Sequence, residues 1–391
     1  MKKILVIMML LFVGMLNVHE AKAYTDSIVR GNFEFEYEPT KGGVWITRVN
    51  LLSDKGIATL KIPAKIKGKK VVKFGTKELK NAEWQDNGYS ENVFGVALAP
   101  DDANYIYEPT DVFELTTKIK KIQVPDTVKT ITRMSFNYFH DRASINIPKG
   151  VTKDVGSFAY NNWKKITISK KNKKFKIVNG CLLSKDGKIL YSFLKEKEKM
   201  VVPKTVKTMK NISLTHTKIS TLVLPKGLCN IEAEGLKVSS KLTIKVAKGN
   251  KKYAAKYGCL YNKKTKKLVA TCAPDGVLRI PEGITYATSY YIESGIRVDD
   301  AGIHEFGGVA SKMIVPESMK QIDSILEFSS TEEFTCVMKG KTPPKLTCVI
   351  ESFVKKLTVY VPKGTKTLYE EKWGKAFKYC DSLTVTYIEQ E

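Results

Sequence analysis

The stretch NKKFKIVNGCLLSKDGKIL at 172–190, followed by VVPKTV at 201–206, decides the architecture of this chain. It returns 78 residues later as NKKYAAKYGCLYNKKTKKLV at 250–269 and IPEGI at 280–284. No gap interrupts the register, and ten of thirty-five positions are identical, where unrelated segments would share roughly two. The chain therefore contains an internal repeat, which says much about architecture and little about a ligand.

A shorter signature recurs along the chain: a short apolar-x-apolar strand closes on a proline and is followed three residues later by another apolar residue, which Thr365 replaces in the last copy. The eight copies are Ile62-Pro63, Val124-Pro125, Ile147-Pro148, Val202-Pro203, Leu224-Pro225, Ile280-Pro281, Val315-Pro316 and Val361-Pro362. Adjacent prolines stand 23 residues apart at 125 and 148 and 22 apart at 203 and 225. Such spacing is typical of solenoid repeats.

The copy KKIQVP shows the physics of one unit. Ile122 and Val124 point to one side of a strand, whereas Lys121 and Gln123 point to the other. Proline has no N–H for the next ladder bond, so the strand stays short and the chain turns. One coil cannot bury its apolar edge alone, and the coils must stack. The sequence thus predicts a mainly β solenoid of short stacked strands.

Two segments, IKKIQVPDTVKTITRMSF at 119–136 and INIPKGVTKDVGSFAY at 145–160, resemble the BspA-like leucine-rich repeat. The element at 172–190 and the closing VPKGT…LYEEKWGKAF at 361–377 are also similar to that family. The resemblance covers roughly 57–379. It implies an exported protein, of bacterial or protist type, whose role is surface attachment or protein binding rather than catalysis.

The predicted domain organisation follows from these patterns. It comprises a signal peptide at 1–23, an N-terminal β cap at 24–56, a BspA-like leucine-rich repeat solenoid at 57–379 with an inserted acidic loop at 80–118, and a C-terminal strand or tail at 380–391. The cap follows from the strand patterns FEFEYEP and VWITRV, because the exposed end of a solenoid needs cover. The inserted loop is interpreted as a surface loop, either with or without a ligand; its spacing matches no EF-hand calcium loop.

Residues 1–23 combine Lys2-Lys3, a short apolar run and Ala21-Lys22-Ala23. The run is shorter than a membrane span needs, so we interpret the segment as a cleaved signal peptide, with an uncleaved anchor as the alternative. We expect a chain that is secreted or at the cell surface, with no membrane span once the signal is removed.

The mature chain keeps a formal charge of +23, because the signal takes three lysines and one glutamate with it. A solvated, soluble surface is one explanation, and attraction to a polyanionic cell wall or an acidic glycan is another. Lysine dominates and no aromatic-basic module is visible, so a specific nucleic-acid partner is the least favoured of these.

Neither a catalytic site nor a metal or cofactor site is predicted. Seven cysteines are an odd number for an exported chain, and none shows CxxC or Cys/His spacing. Cys181 and Cys259 occupy the same place in the two 78-residue copies, which predicts inward-facing apolar residues that do not pair. The sequence shows no HExxH, GxSxG or phosphate loop, so a secreted hydrolase, built on His216 or a cysteine beside a carboxylate, stays only a distant alternative.

A hairpin is predicted where Leu182-Leu183 and Ile189-Leu190 flank Lys185-Asp186-Gly187-Lys188, since Asp-Gly favours a tight turn. We expect such hairpins to project from one edge of the solenoid.

The outward side chains of one continuous strand ladder form the predicted binding surface for an unknown protein or glycan partner. The candidate residues are Lys121, Gln123, Asn146, Lys165, Thr167, Lys245, Arg279, Lys312 and Tyr360. Exposed polar residues are also ordinary on an open sheet, so a merely solvated face is the alternative interpretation.

Overall fold

The computed structural model describes residues 26–52, 58–75, 94–96, 118–132, 135–136, 143–153, 158, 163–195, 197–210, 212–214, 219–232, 236–238, 241–288, 295–299, 302–306, 310–323, 325–329, 331–347, 354–378 and 380–391. The predicted signal peptide, His140, His216 and most of the predicted acidic insertion lie outside these residues.

The regular elements of the described residues are almost all short strands, joined by turns, which confirms the predicted mainly β fold class. In the first part of the chain the strands are β1 (Asp26–Arg30), β2 (Phe33–Thr40), β3 (Gly43–Leu51), β4 (Thr59–Lys61), β5 (Lys65–Ile66), β6 (Lys69–Phe74), β7 (Phe94–Val96), β8 (Lys121–Gln123), β9 (Thr130–Ile131), β10 (Ser144–Ile147) and β11 (Lys165–Ile168).

The middle of the chain, which holds both copies of the 78-residue repeat, has the same character. Its strands are β12 (Phe175–Val178), β13 (Cys181–Ser184), β14 (Ile189–Phe193), β15 (Lys199–Val201), β16 (Thr208–Met209), β17 (Ile212–Leu214), β18 (Thr221–Leu224), β19 (Asn230–Ile231), β20 (Leu236–Val238), β21 (Thr243–Val246), β22 (Tyr253–Lys256), β23 (Cys259–Asn262) and β24 (Leu268–Thr271).

The last part adds one short 3-10 helix, Ile325–Phe328, and one α-helix, α1 (Lys366–Gly374). Its strands are β25 (Val277–Arg279), β26 (Tyr286–Thr288), β27 (Gly295–Asp299), β28 (Gly302–Phe306), β29 (Lys312–Val315), β30 (Gln321–Asp323), β31 (Glu333–Met338), β32 (Lys345–Thr347), β33 (Lys356–Val361) and β34 (Thr384–Glu389).

The strands that lead into the repeated prolines, together with their neighbours, form the front ladder, in which each strand pairs in parallel with the next. The front ladder consists of three sheets, ordered β4-β8-β10-β11, β15-β18-β21 and β25-β29-β31-β33-β34. The prediction of one continuous ladder is therefore wrong. The breaks fall where the two copies of the 78-residue element insert antiparallel strands between successive front strands.

Seven of the eight proline turns share the same backbone hydrogen bond. The Val128 N–H donates to the carbonyl of Pro125 at 3.1 Å, and the Val206 N–H donates to Pro203 at 3.0 Å. The same bond closes the turns at Pro148, Pro225, Pro281, Pro316 and Pro362. This turn explains why the signature demands an apolar residue three positions after the proline, since the turn carries that side chain back into the core.

After the turn, most coils add a second short strand, and these strands form a rear ladder. Its parallel pairs join β6 to β9, β14 to β16, β16 to β19, β26 to β30 and β30 to β32. The strands β17 and β20, which follow β16 and β19 in the same coils, pair in a separate two-stranded sheet. Two strand ladders per coil therefore enclose the core of the solenoid.

The N-terminal strands β1, β2 and β3 are antiparallel and join the rear ladder through β6. In β2 the alternation of the sequence is visible directly, because Phe33, Phe35 and Tyr37 are buried while the glutamates between them are not. This sheet covers the first coils, as an exposed solenoid end requires.

The element at 172–190, which returns 78 residues later, forms a three-stranded antiparallel meander in each copy. The strands are β12-β13-β14 in the first copy and β22-β23-β24 in the second. The predicted hairpin is present as β13 and β14. Its Asp186-Gly187 turn is not at a free end, because the Thr205 hydroxyl donates to the Gly187 carbonyl at 2.9 Å and the Lys207 N–H donates to the Lys188 carbonyl at 2.7 Å. The meander thus occupies a level of the stack, and in the first copy its third strand, β14, pairs with β16 of the rear ladder. In the second copy an isolated bridge, Lys267 with Tyr286, joins the meander to that ladder.

The core runs along the solenoid as three clusters of buried residues, between Phe33 and Leu194, between Cys181 and Cys272, and between Cys259 and Cys380. In the first, Phe74 and Phe136 stack with ring centroids 5.5 Å apart, and Phe136 and Phe158 follow at 5.6 Å. Equivalent positions of successive coils therefore pack on each other, which is the nearest-neighbour packing that a solenoid requires.

Candidate binding face on the front ladder

The outward side of the first front sheet brings five of the predicted site residues together. Lys121, Gln123, Asn146, Lys165 and Thr167 line one open concavity of about 290 Å³. Ser144 and Val124 contribute to the same wall. The concavity exists because parallel register places equivalent residues of successive coils side by side.

Two polar rows cross this concavity. One row runs from Lys121 through Ser144 to Lys165, so that two ammonium groups flank a hydroxyl. The second row includes Asn146 and Thr167, whose hydroxyl donates to the Asn146 side-chain oxygen at 2.9 Å. The surface therefore combines positive charge at one end with amide and hydroxyl groups in the middle, which suits a ligand with hydroxyls or amides and some negative charge.

The other four predicted residues lie on the two later front sheets. Lys245 is exposed on β21, in the second sheet. Arg279, Lys312 and Tyr360 belong to the third sheet, where Arg279 aligns with Ile314 and the row continues to Tyr360. All four point outward as predicted, but the breaks in the ladder separate them from the first sheet.

The rear ladder carries a polar cluster that the sequence interpretation missed. Asp323 accepts hydrogen bonds from the hydroxyls of Tyr286 and Thr347 and from the side-chain amide of Gln321. These residues meet because β26, β30 and β32 are in parallel register. The available signal was the recurring spacing of two apolar residues three positions apart after the proline, as in Val128 and Ile131, which marks a second strand in most coils.

The buried thiols of Cys181, Cys259 and Cys272 are not suited to nucleophilic chemistry, whereas the Cys229 thiol is exposed. Cys181 and Cys259 are fully buried and unpaired, as predicted. Burial raises the pKa of Cys181 and of Cys272 to about 12, and raises the pKa of Cys259 as well. A thiolate is therefore strongly disfavoured at these positions at neutral pH. Within the part of the chain that the structure describes, no cluster of three or more His, Cys, Asp or Glu side chains could hold a metal ion.

The two ladders, the proline turns and the stacked aromatic core define the class of this protein as a leucine-rich repeat solenoid. Comparison with protein families makes the assignment specific: residues 106–243 match the BspA type leucine rich repeat region in six copies. The chain thus contains a BspA-type leucine-rich repeat region, which confirms the resemblance inferred from its motifs.

Three crystal structures of bacterial proteins are similar to this chain. They are the pneumococcal vaccine antigen PcpA (13% identity, TM-score 0.36, covering 94% of this chain and 99% of that one), a leucine-rich repeat protein from Eubacterium ventriosum (15%, 0.38, 93% and 85%) and one from Bacteroides ovatus (14%, 0.31, 93% and 79%). These TM-scores are low, so nothing about ligands follows from them. A search of curated proteins finds no match.

No helix among the described residues is both long and apolar enough to cross a membrane.

Proposed function

We propose that this chain is an exported recognition module that binds a protein or glycan partner through the front ladder, at the cell surface or in the medium. The observation that carries the proposal is the concavity on the first front sheet, where Lys121, Gln123, Asn146, Lys165 and Thr167 converge. The polar rows supply hydrogen-bond donors and acceptors at fixed spacing, and the rigid ladder orients them before a ligand arrives.

The test is binding of the purified chain to defined extracellular-matrix proteins and glycans immobilised on an array. The variant Gln123→Ala/Asn146→Ala/Lys165→Ala is expected to lose at least tenfold in affinity for whichever ligand the native chain binds, with an unchanged circular dichroism spectrum. A matched control, Lys341→Ala/Thr342→Ala/Thr367→Ala, removes the same charge from exposed positions elsewhere and is expected to bind normally. Equal affinity of both variants would reject the concavity as the site.

A third variant, Lys245→Ala/Arg279→Ala/Tyr360→Ala, tests the rest of the predicted surface. Loss of binding in this variant alone would move the site to the later front sheets and would retain the recognition role.

A second candidate function is retention of the chain by a polyanionic cell wall, which the formal charge of +23 after signal removal favours. Exposed charges are screened over about 8 Å at physiological ionic strength, so moderate salt should release such a chain from intact cells. Retention of the chain on the cells in high salt would count against this candidate.

A further inference from the structure

The turns that follow the front strands stack into one column, and the meander turns of the 78-residue element join the same column. We call seven successive levels of this column the lysine corner. Its segments are 148–151, 169–174, 184–188, 203–207, 225–228, 247–252 and 262–266, which together contain sixteen lysines, one aspartate and no arginine.

Hydrogen bonds join each level to the next. Asn172 donates to the carbonyls of Pro148 and Val151, and the Lys185 N–H donates to the Lys174 carbonyl at 2.7 Å. The Lys207 N–H then donates to the Lys188 carbonyl, and the Cys229 N–H donates to the Lys207 carbonyl. The later levels repeat this arrangement: Asn250 donates to Pro225 and Leu228, and the Lys263 N–H donates to Lys252. Seven levels at about 4.8 Å per level give a basic edge roughly 30 Å long.

Carboxylates neutralise little of this edge. All sixteen lysines are exposed except Lys252, which is half-buried. Among the described residues, lysines of the corner form two ion pairs, Lys149 with Asp126 at 3.1 Å and Lys188 with Asp186 at 3.7 Å. Neighbouring levels are closer than the distance over which salt screens charge, so these lysines repel one another.

The basic edge also has sharp ends. The position directly after the proline is Lys149, Lys204 or Lys226 in the proline turns of the corner. In the preceding coil the same position is Asp126. The next two proline turns after the corner carry Glu282 and Glu317 at that position, and lysine returns only at Lys363 in the last proline turn. A surface that was basic only for solubility would not need this division. The charge is concentrated on one stretch of one edge.

We propose that the lysine corner binds a linear phosphate or phosphodiester polymer without bases, laid along the column. Lysine acts on phosphate as a point charge that needs no fixed geometry, whereas arginine, whose planar fork binds carboxylates and phosphates in a fixed bidentate geometry, is absent from the corner. The aromatic residues that directly follow the lysine segments 169–174 and 247–252, Phe175 and Tyr253, are 4% exposed and face the core, so they offer no stacking platform for nucleic-acid bases. A flexible polymer can follow the column because lysine contacts require no fixed geometry.

This inference deepens the wall-retention candidate by giving it a site and a ligand class. It does not depend on the front ladder, and its test uses the purified chain. A chain that binds phosphate polymers in solution yet is not released from cells by salt would sustain the site and reject the retention role.

The experiment measures binding of a defined linear polyphosphate by titration at several salt concentrations. The variant Lys173→Gln/Lys204→Gln/Lys226→Gln/Lys251→Gln removes four exposed lysines of the corner. The control Lys339→Gln/Lys341→Gln/Lys372→Gln/Lys375→Gln removes four exposed lysines elsewhere and leaves the same net charge. We expect the corner variant to bind at least tenfold more weakly, with the slope of log K against log salt reduced by about 3, and the control to change less than twofold. Circular dichroism confirms that both variants fold.

Equal losses in the two variants, or no binding by the native chain, would overturn the proposal. Two further probes of equal charge test the ligand class. Tighter binding of oligothymidylate would assign the edge to nucleic acid, and tighter binding of polyglutamate would assign it to carboxylates; either result overturns the proposed class.

Discussion

Two buried asparagines at equivalent places in the 78-residue copies hold neighbouring coils together. Asn172 is 1% exposed and Asn250 is 2% exposed. Each side-chain amide donates to two carbonyls of the preceding proline turn, and each side-chain oxygen accepts from two N–H groups at the start of the meander. An asparagine satisfies four backbone groups here, which no apolar residue could do.

Replacement of either asparagine by alanine should therefore be costly. Asn172→Ala and Asn250→Ala would each leave buried backbone groups without partners, and we expect a loss of about 3 kcal/mol in the free energy of unfolding. Urea denaturation measures the loss. Asn262 caps only an exposed turn by accepting from the Lys264 and Thr265 N–H groups, so Asn262→Ala should cost about 1 kcal/mol. Equal effects at the buried and exposed positions would contradict the proposed role of the side-chain network.

A second pair of residues shows how the two copies differ in close packing. Gly180 and Gly258 both have positive φ, at 78° and 79°. A Cβ on Gly258 would lie 2.0 Å from the Cys272 carbonyl oxygen, whereas one on Gly180 would lie 3.1 Å from the Lys195 carbonyl oxygen.

Alanine at these two glycines should separate backbone strain from steric overlap. Gly180→Ala should lower the free energy of unfolding by about 1 to 2 kcal/mol, which is the penalty for a side chain in the left-handed conformation. Gly258→Ala should cost more than about 3 kcal/mol, because the Cys272 backbone must also move. The thermal midpoints of the two variants measure the difference, and a smaller shift for Gly258→Ala than for Gly180→Ala would refute the argument.

At the scale of the element, the meanders show the same turn made from different residues. The loop between β12 and β13 is Asn179-Gly180, a preferred pair for a two-residue turn with positive φ at both positions. The loop between β22 and β23 is Tyr257-Gly258, with Tyr257 at φ 53° and 58% exposed. A tyrosine in the left-handed region is strained, and its contact with Lys256, 4.8 Å from the ring centroid, offsets part of that strain.

The first copy supplies the substitution that tests this strain. Tyr257→Asn introduces the residue found at Asn179, and we expect it to stabilise the chain by about 0.5 to 1 kcal/mol. Differential scanning calorimetry measures the change. The reverse substitution, Asn179→Tyr, should destabilise by a similar amount, and a stabilising effect of that reverse change would show that turn conformation is not what limits these hairpins.

At the scale of the whole molecule, stability is distributed along the stack. The C-terminal end is closed by α1, where Tyr369 and Trp373 are buried. The Tyr369 hydroxyl donates to the Gly340 carbonyl at 2.7 Å, and the Trp373 indole N–H donates to the Pro344 carbonyl at 2.9 Å. These contacts reach only the nearest coils, so damage at this end should stay local.

Trp373→Ala tests this expectation. Loss of the indole ring should lower the free energy of unfolding of this end of the stack by about 3 to 5 kcal/mol. Hydrogen exchange followed by mass spectrometry should then show faster exchange in β31, β33 and β34 and unchanged protection in β2 and β3. A uniform increase along the chain would mean that the solenoid unfolds as a single cooperative unit.

The sequence by itself determined the repeat, the front strands and the closing turns, because period-two alternation and proline act within a few residues. The same local rules placed Lys121, Gln123 and Asn146 on the outward side. Local rules could not show that the meander at 172–194 takes a level of the stack and breaks the front ladder, since that depends on which carbonyls Lys185 and Lys207 meet.

Only the tertiary structure joined lysines from distant positions, such as Lys149, Lys204 and Lys251, into one edge. In the sequence they are scattered charges, and their proximity arises from hydrogen bonds between coils. The outward direction of a side chain is a property of its own strand, whereas its neighbours across the ladder are fixed by the stacking of coils separated by tens of residues.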